Sequence, residues 1–502
     1  MAESTSARPS SLTARTIRGA AWTLSTTLGA RVIGVVGTFL LARYLAPGEY
    51  GDVTAASIVT LTAFSITSLG VGVYLLSNPD LSRAQVFHAT CWFLATGAAA
   101  LGIAWAASVP LGDLFHAPAM GRYMPYLVAS VFCDRITFVP ERLLIRKLRF
   151  RWLSLSRAAG ELIYTALSLI LAVRGVGAMS IAWANLARAA LRTATIVPAV
   201  GWREWLEPHR LRGELFRPIL RYGSGVSLAS IATTLMRRWD NLLVSRYFGN
   251  AVMGAYNYAY SIADTPAVAI GEQMSDVVAA AFPQAEGPKR QAALVRACTM
   301  ISLVMFPLAF GLGAIADTVV DAFFNRRWGA VGPMLLYLSI LSAPRPMAQI
   351  VQSYLYAAGR LRVVIWLEWL SFGALMLAIA AFGAAASHSD WGPSAILWTC
   401  GAVGAVFVAR TLAHFWVVQR LDGVPLRRFL VPLIRPLIAC LAMVAAILAV
   451  RPALGELRPV VRLGVEVVLG AAVYLAGARL IFRDAAIEFI GLVRSSMGRG
   501  RR

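Results

Sequence analysis

The stretch RRWDNLLVSRYFGNAVMGAYNYAYSIADTP, residues 237–266, contains the pattern that decides the fold. Its central part, LLVSRYFGNAVMG at 242–254, repeats the earlier segment LLARYLAPGEYG at 40–51. In both copies an Arg-Tyr pair ends an apolar segment, and a glycine follows before the next one. The corresponding residues are Arg43 and Arg246, Tyr44 and Tyr247, Gly51 and Gly254. The repeat predicts two pseudo-symmetric halves; the alternative is a chance similarity between two turns that end helices.

The composition places the chain in a membrane. Of its 502 residues 58% are hydrophobic and only 14% are charged, whereas soluble domains carry roughly 25% charged residues. One soluble core cannot bury so large an apolar surplus. The apolar runs are long and rich in Ala, Leu, Val and Gly, which favours a helical bundle over a barrel of short alternating strands.

About fourteen apolar segments approach the roughly 20 residues that a spanning helix needs. We therefore predict an all-α polytopic membrane protein with two pseudo-symmetric six-helix lobes and two further C-terminal helices. The predicted divisions are a lobe at 1–200, a cytoplasmic amphipathic linker at 201–222, a second lobe at 223–418, and two extra spans with a basic tail at 419–502.

The positive charge of the chain is explained by membrane topology. The net charge is +22, and most Lys and Arg residues fall in the even-numbered loops and the tail. The positive-inside rule then predicts that both termini are cytoplasmic. A basic soluble protein suggests nucleic acid, but here no nucleic acid partner is expected.

Four predicted helices carry an arginine on a polar face. A charge near mid-bilayer is costly and normally faces a cavity or a partner. Side chains at three- and four-residue steps share one helix face, and guanidinium matches phosphate oxygens with a planar fork. These faces predict one cationic, substrate-binding cavity with the following residues: Arg31, Arg188, Arg237, Arg238, Asn241, Arg345 and Gln349.

Two carboxylates near these faces are candidates for ion coupling. Asp264 is either a cation or proton site or a structural partner for an arginine. Asp240 lies three residues from Arg237, so a local ion pair between them is the alternative. Pro344 and Pro346 predict a helix bend beside Arg345.

Two further arginines have simpler interpretations. Arg192 lies near the predicted cytoplasmic end of its helix, where a long side chain reaches the interface by snorkelling. Arg157 and Glu161 are one helical turn apart and are expected to pair with each other.

The motifs of common enzyme classes are missing from the sequence. It has no GxxxxGK[ST] phosphate loop, no HExxH pair and no GxSxG elbow. The five cysteines form no CxxC pair or metal spacing. We therefore expect a carrier rather than an enzyme, with no catalytic residue, no cofactor and no metal.

Four stretches resemble a known family. They are LLARYLAPGEYGDVTAA at 40–56, VPERLLIRKLRFRWLSLSR at 139–157, the stretch 237–266 quoted above, and AAFPQ at 280–284. The chain resembles the polysaccharide transporters, the Wzx-type flippases, of the multidrug/oligosaccharidyl-lipid/polysaccharide exporter superfamily.

This resemblance implies two six-helix lobes in a V, with alternating access to a central cationic cavity and transport driven by an ion gradient or the membrane potential. The implied substrate is a polyprenyl-pyrophosphate-linked oligosaccharide, moved across the bacterial inner membrane for exopolysaccharide or lipopolysaccharide biosynthesis. Membrane lipids and other polysaccharide assembly proteins are the implied partners. The alternatives are a multidrug or metabolite antiporter of the same superfamily, and a membrane glycan polymerase or ligase.

Overall fold

The computed structural model describes residues 33–34, 37–68, 70–78, 80–147, 149–282, 286–387 and 394–483. The predicted first span, 20–42, lies mostly outside these residues. So does Arg31, whose predicted place in a cavity is therefore a matter of sequence alone.

The fold is all-α, as predicted. The described part of the chain is 87% helical and contains no strand. Its α-helices, in chain order, are α1 Pro47–Ser68, α2 Val71–Ser77, α3 Arg83–Ala106, α4 Ser108–Leu114, α5 Met120–Arg146, α6 Phe150–Val173, α7 Met179–Val200, α8 Phe216–Met236, α9 Trp239–Phe248, α10 Asn250–Ala281, α11 Gly287–Ala314, α12 Ala316–Phe323, α13 Val331–Leu341, α14 Arg345–Ala357, α15 Leu361–Ser387, α16 Ala395–Asp422, α17 Leu426–Val450 and α18 Pro459–Ile481.

Local sequence signals set several of these helix ends. Ser82 and Gln85 form a capping box at the start of α3, in which each side chain bonds the other residue's backbone N–H. Gly249 and Gly423 follow α9 and α16 with φ values of 84° and 71°, a backbone region that glycine adopts without steric cost.

The chain is a multi-pass membrane protein. Among the described residues, seven helices are long and apolar enough to span a bilayer, and one bent helix pair brings the number to eight. The other predicted spans correspond to helices that are interrupted, more polar or outside the described residues. The count of fourteen therefore stays a prediction.

Two predicted spans are broken in the middle, and each break falls at an arginine. The predicted span 223–245 is two helices, α8 and α9, interrupted at Arg237 and Arg238. The predicted span 329–357 is also two helices, α13 and α14, which meet at an angle of 41° immediately before Arg345. The bend predicted from Pro344 and Pro346 is confirmed. Irregular backbone at membrane depth is tolerated where it lines a cavity or is covered by protein.

The described helices form two compact units. The first unit contains the residues up to Leu45 together with Ala56–Leu111 and Ala119–Ser227. The second contains Ala46–Ala55, Gly112–Pro118 and the residues from Leu228 onward. The turn that follows the first Arg-Tyr pair thus belongs, by its contacts, to the second unit.

The two glycines of the repeat occupy the same helical position. Gly51 is the fifth residue of α1, and Gly254 is the fifth residue of α10. A Cβ atom on Gly51 would overlap the backbone carbonyl of Asn250, and one on Gly254 would overlap that of Pro47. Pro47 and Asn250 are themselves the first residues of these helices, so the contact is reciprocal. Small residues at a helix crossing permit this close backbone approach.

The segment 201–222 contains two short 3-10 turns, Trp202–Glu204 and Gly213–Leu215, and its last residues already belong to α8. Ionic contacts attach it to the rest of the first unit, because Glu204 pairs with Lys147 and Glu207 pairs with Arg83. Its Trp205 side chain is buried. The seventh predicted span therefore begins about seven residues earlier than the sequence suggested.

Candidate anion site at two helix breaks

A small polar cavity lies where the two broken helices of the second unit meet. Its volume is about 20 Å³, which leaves room for roughly one water molecule. The end of α8, the middle of α10, the start of α14 and one residue of α16 form its wall. The lining residues are Thr233, Met236, Arg237, Asp264, Ala267, Arg345, Pro346, Gln349, Gln352 and Arg410.

Arg345 is a buried arginine of the cavity wall. One of its guanidinium nitrogens lies 2.8 Å from a carboxylate oxygen of Asp264, and another donates to the hydroxyl of Tyr260. The same guanidinium lies over the rings of Phe407, at 4.1 Å, and of Tyr260, at 4.9 Å. Carboxylate, hydroxyl and aromatic faces together compensate the desolvation of this buried charge.

Arg410 connects the cavity to a buried cluster behind it. Its guanidinium donates to Oε1 of Glu368 at 2.7 Å, and the Thr233 hydroxyl donates to Oε2 at 3.1 Å. His414 lies one turn after Arg410, with its Nε2 atom 3.6 Å from Oε1 of Glu368. Glu368 and His414 are fully buried. Thr233 and Arg410 therefore belong both to this cluster and to the cavity wall.

The wall of the cavity is cationic, and the layer behind it is anionic. Three guanidinium groups face one carboxylate, that of Asp264, in the cavity wall. Behind the wall, Glu368 compensates Arg410, and the buried Asp240 interacts electrostatically with Arg345. Among the described residues, Arg237 has no carboxylate within ion-pair distance. A guanidinium on a cavity wall without its own anion is suited to an anionic ligand.

The structure brings together four of the residues selected from sequence. Arg237, Arg345, Gln349 and Asp264 all line the same cavity. Of the alternatives left open for Asp264, the geometry shows the partnership with an arginine. The buried Gln349 Oε1 atom has no hydrogen-bond partner among the residues that the structure describes, so it is an available acceptor in the cavity wall.

The remaining predicted residues lie elsewhere. Arg188 is in the first unit, where it bonds Asn185 at 2.8 Å and approaches Glu161 at 3.4 Å. Arg238 is exposed at the helix break and does not line this cavity. Asn241 is buried beside it.

Asp240 is fully buried and does not line the cavity. The predicted local pair with Arg237 is wrong, since its partners are the Tyr256 hydroxyl and the backbone and side-chain nitrogens of Asn241, all at 2.9 Å. The break between α8 and α9 separates Asp240 from Arg237, although they are only three residues apart, because the two residues no longer share one helical turn.

In the first unit, arginines pair with acids on other helices. Arg192 bonds Asp134 at 2.9 Å and Glu141 at 2.8 Å, so its interpretation as a snorkelling residue is wrong. The expected pair between Arg157 and Glu161 is also wrong, since Arg157 pairs with Glu141. Packing of α5, α6 and α7 brings acids of neighbouring helices closer to these arginines than an acid one turn away.

Sequence reasoning missed three residues of the second unit: Glu368, Arg410 and His414. Each is an ionisable side chain in an otherwise apolar segment, which is a functional signal in membrane helices. Arg410 and His414 are also four residues apart and so share a helix face. Their helices carry no continuous polar face, which is the pattern that marks Arg237 and Arg345.

The sequence matches known proteins over most of its length. It is 26% identical over 429 residues to the succinoglycan biosynthesis transport protein ExoT of Rhizobium meliloti (strain 1021), covering 81% of this chain and 82% of that protein. It is 22% identical over 430 residues to the lipopolysaccharide biosynthesis protein WzxC of Escherichia coli (strain K12), covering 84% and 85%.

The fold matches a solved transporter. The lipid II flippase MurJ, in an inward closed conformation, superposes with a TM-score of 0.74 at 14% identity, covering 92% of this chain and 99% of that one. A family model described as polysaccharide biosynthesis protein matches residues 40–333, more than half of the chain. The chain therefore belongs to the polysaccharide biosynthesis protein family.

Proposed function

We propose that this protein is a flippase that translocates a polyprenyl-pyrophosphate-linked oligosaccharide by alternating access, for exopolysaccharide or lipopolysaccharide biosynthesis. One observation carries the proposal: the breaks of two interrupted helices bring Arg237 and Arg345 to the wall of one cavity, where Arg410 of α16 joins them. The names of the relatives ExoT and WzxC, and the fold shared with MurJ, support the same function.

The cavity chemistry fits a pyrophosphate group. A pyrophosphate that crosses the low-dielectric part of the bilayer loses the water that stabilises its charge. Guanidinium groups held in place replace that water with charge-assisted hydrogen bonds. Arg237 is the group that we expect to contact the substrate, because no described carboxylate lies within ion-pair distance of it. Amide groups such as Gln349 supply neutral hydrogen bonds.

Movement at the helix breaks is part of the proposal. The cavity holds about one water molecule and is too small for a sugar. Both breaks provide backbone that is not fixed by continuous helical hydrogen bonds, so α9 and α14 can reorient around them. We propose that this movement opens the arginine cluster to one side of the membrane at a time.

The cavity disfavours a cationic drug as substrate. Its wall carries three guanidinium groups and one carboxylate, and that carboxylate is already paired with Arg345. A cation entering the cavity would meet unfavourable charge. We also propose that the protein acts as a carrier without catalytic activity, and that other polysaccharide assembly proteins supply and receive its substrate.

A complementation experiment tests the proposed function. We expect Arg237→Ala to reduce export at least about tenfold, since one charge-assisted hydrogen bond contributes about 1.5–3 kcal/mol. Arg237→Lys should restore export only in part, because an ammonium loses the bidentate fork. The measurement is surface polysaccharide in a deletion strain carrying each variant, together with the lipid-linked oligosaccharide left in the membrane.

The control is Arg326→Ala, which removes an exposed arginine of the second unit outside the cavity. Protein levels in the membrane are compared by blotting. The double variant Arg31→Ala with Arg237→Ala extends the test to the arginine selected from sequence alone. Normal export by the double variant would contradict the cationic-cavity mechanism.

We further propose a location in the bacterial inner membrane with both termini in the cytoplasm. The distribution of arginine among alternating loops supports this orientation. Reporter fusions after Arg151 and within 201–222 should report the cytoplasm, and a fusion near Asn325 should report the periplasm. A periplasmic signal after Arg151 would reject the orientation.

A further inference from the structure

Two buried histidines, His88 and His414, make the same kind of hydrogen bond through Nδ1 but have different contacts at Nε2. The Nδ1 atoms of His88 and His414 lie 2.6 Å and 2.8 Å from backbone carbonyls four residues earlier, those of Ala84 and Arg410. A carbonyl only accepts, so Nδ1 carries a proton in both rings. The state of each ring is then decided by what its Nε2 atom faces.

At His88 the second contact holds the ring neutral. The backbone N–H of Arg212 donates to Nε2 of His88 at 2.8 Å. A nitrogen that accepts a hydrogen bond cannot carry a proton itself. His88 therefore has one proton, on Nδ1, as long as the segment around Arg212 stays in place.

At His414 the Nε2 atom faces a hydrogen-bond acceptor, whereas that of His88 faces a donor. Its buried Nε2 atom has no hydrogen-bond partner among the described residues and lies 3.6 Å from Oε1 of Glu368. In the neutral ring a lone pair faces a carboxylate oxygen, which is repulsive. A proton on Nε2 turns the same contact into a charged hydrogen bond.

We propose that Nε2 of His414 is a proton-binding site whose occupation strengthens binding of the pyrophosphate group in the adjacent cavity. The inference rests on the proposed flippase function. It assigns the site to a proton rather than to a metal ion, since no group of three or more potential metal ligands occurs among the described residues.

Arg410 transmits the effect. With His414 neutral, Arg410 is the closest cation to Glu368. Protonation gives Glu368 a second cationic partner on the same oxygen and leaves the group of three with one net positive charge. The guanidinium of Arg410, which already lines the cavity, is then freer to bond a phosphate oxygen. Proton binding and anion binding therefore favour each other.

The charged surroundings of His414 are few. From α15 it faces Glu368, and on its own helix Arg410 lies one turn earlier. On α14, Arg345 packs against Phe407 of α16, the helix that carries His414, and Tyr356 interacts electrostatically with Glu368.

The other helices packed on α16 contribute little charge near this site. The ionisable side chain of α13, Tyr337, is 41% exposed. The arginines of α17 are also exposed: Arg427, Arg428 and Arg435. The thiol of Cys440 is buried on the same helix.

Binding of a defined probe as a function of pH tests this inference. The probe is prenyl pyrophosphoryl N-acetylglucosamine, a diester whose two phosphates keep their charge across the range used. With the full chain in nanodiscs, we expect about tenfold tighter binding near pH 5.5 than near pH 8, because the coupled proton is more available at the lower pH. His414→Asn keeps a donor for the Arg410 carbonyl and should bind at the weaker level throughout.

Two other variants sharpen the test. Glu368→Gln releases Arg410 permanently, so binding should be tight and independent of pH. His209→Asn is the matched control, because His209, in the segment 201–222 of the first unit, also bonds a backbone carbonyl through Nδ1. Probe binding by this variant should keep the pH dependence of the natural chain. Unchanged pH dependence in His414→Asn would overturn the inference.

A second measurement is independent of binding. Nitrogen NMR of histidine-labelled protein, compared with His414→Asn, reports the proton on Nε2. We expect this nitrogen to gain a proton as the pH falls, and an unprotonated Nε2 near pH 5 would overturn the inference. Absence of probe binding by the natural chain at every pH would instead contradict the proposed function.

Discussion

An ion-pair network of the first unit and an ion pair of the second unit differ in their exposure to water. In the first unit, arginines and acids of α5, α6 and α7 alternate in a network whose arginine side chains are 20–48% exposed. In the second unit, Arg410 and Glu368 are 5% and 0% exposed. The first network is partly hydrated and pairs each of these arginines with an acid, whereas the second is dry and adjoins a cavity.

This difference indicates different roles. Partly exposed ion pairs lose little when they separate, since water replaces the partner. A dry ion pair is costly to break, and each of its charges is held where the fold places it. A fixed charge beside a cavity is suited to recognising a ligand, so we assign the anion site to the second unit and a mainly structural role to the first network.

The largest expected effect comes from Glu368→Ala. This change leaves Arg410 buried without its carboxylate and should cost about 3–5 kcal/mol of stability. The measurement is the unfolding transition of the purified protein in detergent.

Its matched control is Glu161→Ala, which removes the partner of Arg188 at 3.4 Å in the first unit. This partly exposed pair should contribute less than about 1 kcal/mol. Equal destabilisation by the two changes would end the distinction between a dry and a hydrated network.

A smaller effect is expected from Arg192→Ala. This arginine bonds both Asp134 and Glu141, and its loss should cost about 2 kcal/mol, the contribution of charged hydrogen bonds. Glu141 keeps Arg157 as a partner, which limits the cost.

Arg192→Ala also tests how the first network relates to transport. Export per molecule should stay near normal while the amount of protein in the membrane falls. Export lost at unchanged protein level would show that the first network takes part in transport as well.

The fold class was predictable from the sequence, and four of the ten residues that line the cavity were selected from it. Long apolar segments indicate a membrane environment, and Arg237 and Arg345, which were selected from polar helix faces, line one cavity. The prolines flanking Arg345 also predicted its bend. These signals are local, because each depends on residues within a few turns of one helix.

The partners of the charges were not predictable in the same way. Arg157 sits one turn from Glu161 and yet pairs with Glu141, because helix packing, which sequence spacing does not report, brings the latter closer. The predicted seventh span, 223–245, contains no proline that would indicate its break, and this break separates Asp240 from Arg237. Glu368 and His414 come from helices that look uniformly apolar and meet only in the folded protein.

The reciprocal glycine contact has a consequence for how such a chain can diverge. After a duplication, most positions of the two copies are free to change independently. Gly51 and Gly254 are not, since each one meets the first residue of the other copy's helix. Thr54 and Asn257, which also correspond in the repeat, even bond each other at 3.5 Å. A side chain introduced at either glycine would therefore collide with the backbone of the other copy, so this turn should tolerate fewer changes than positions away from the crossing.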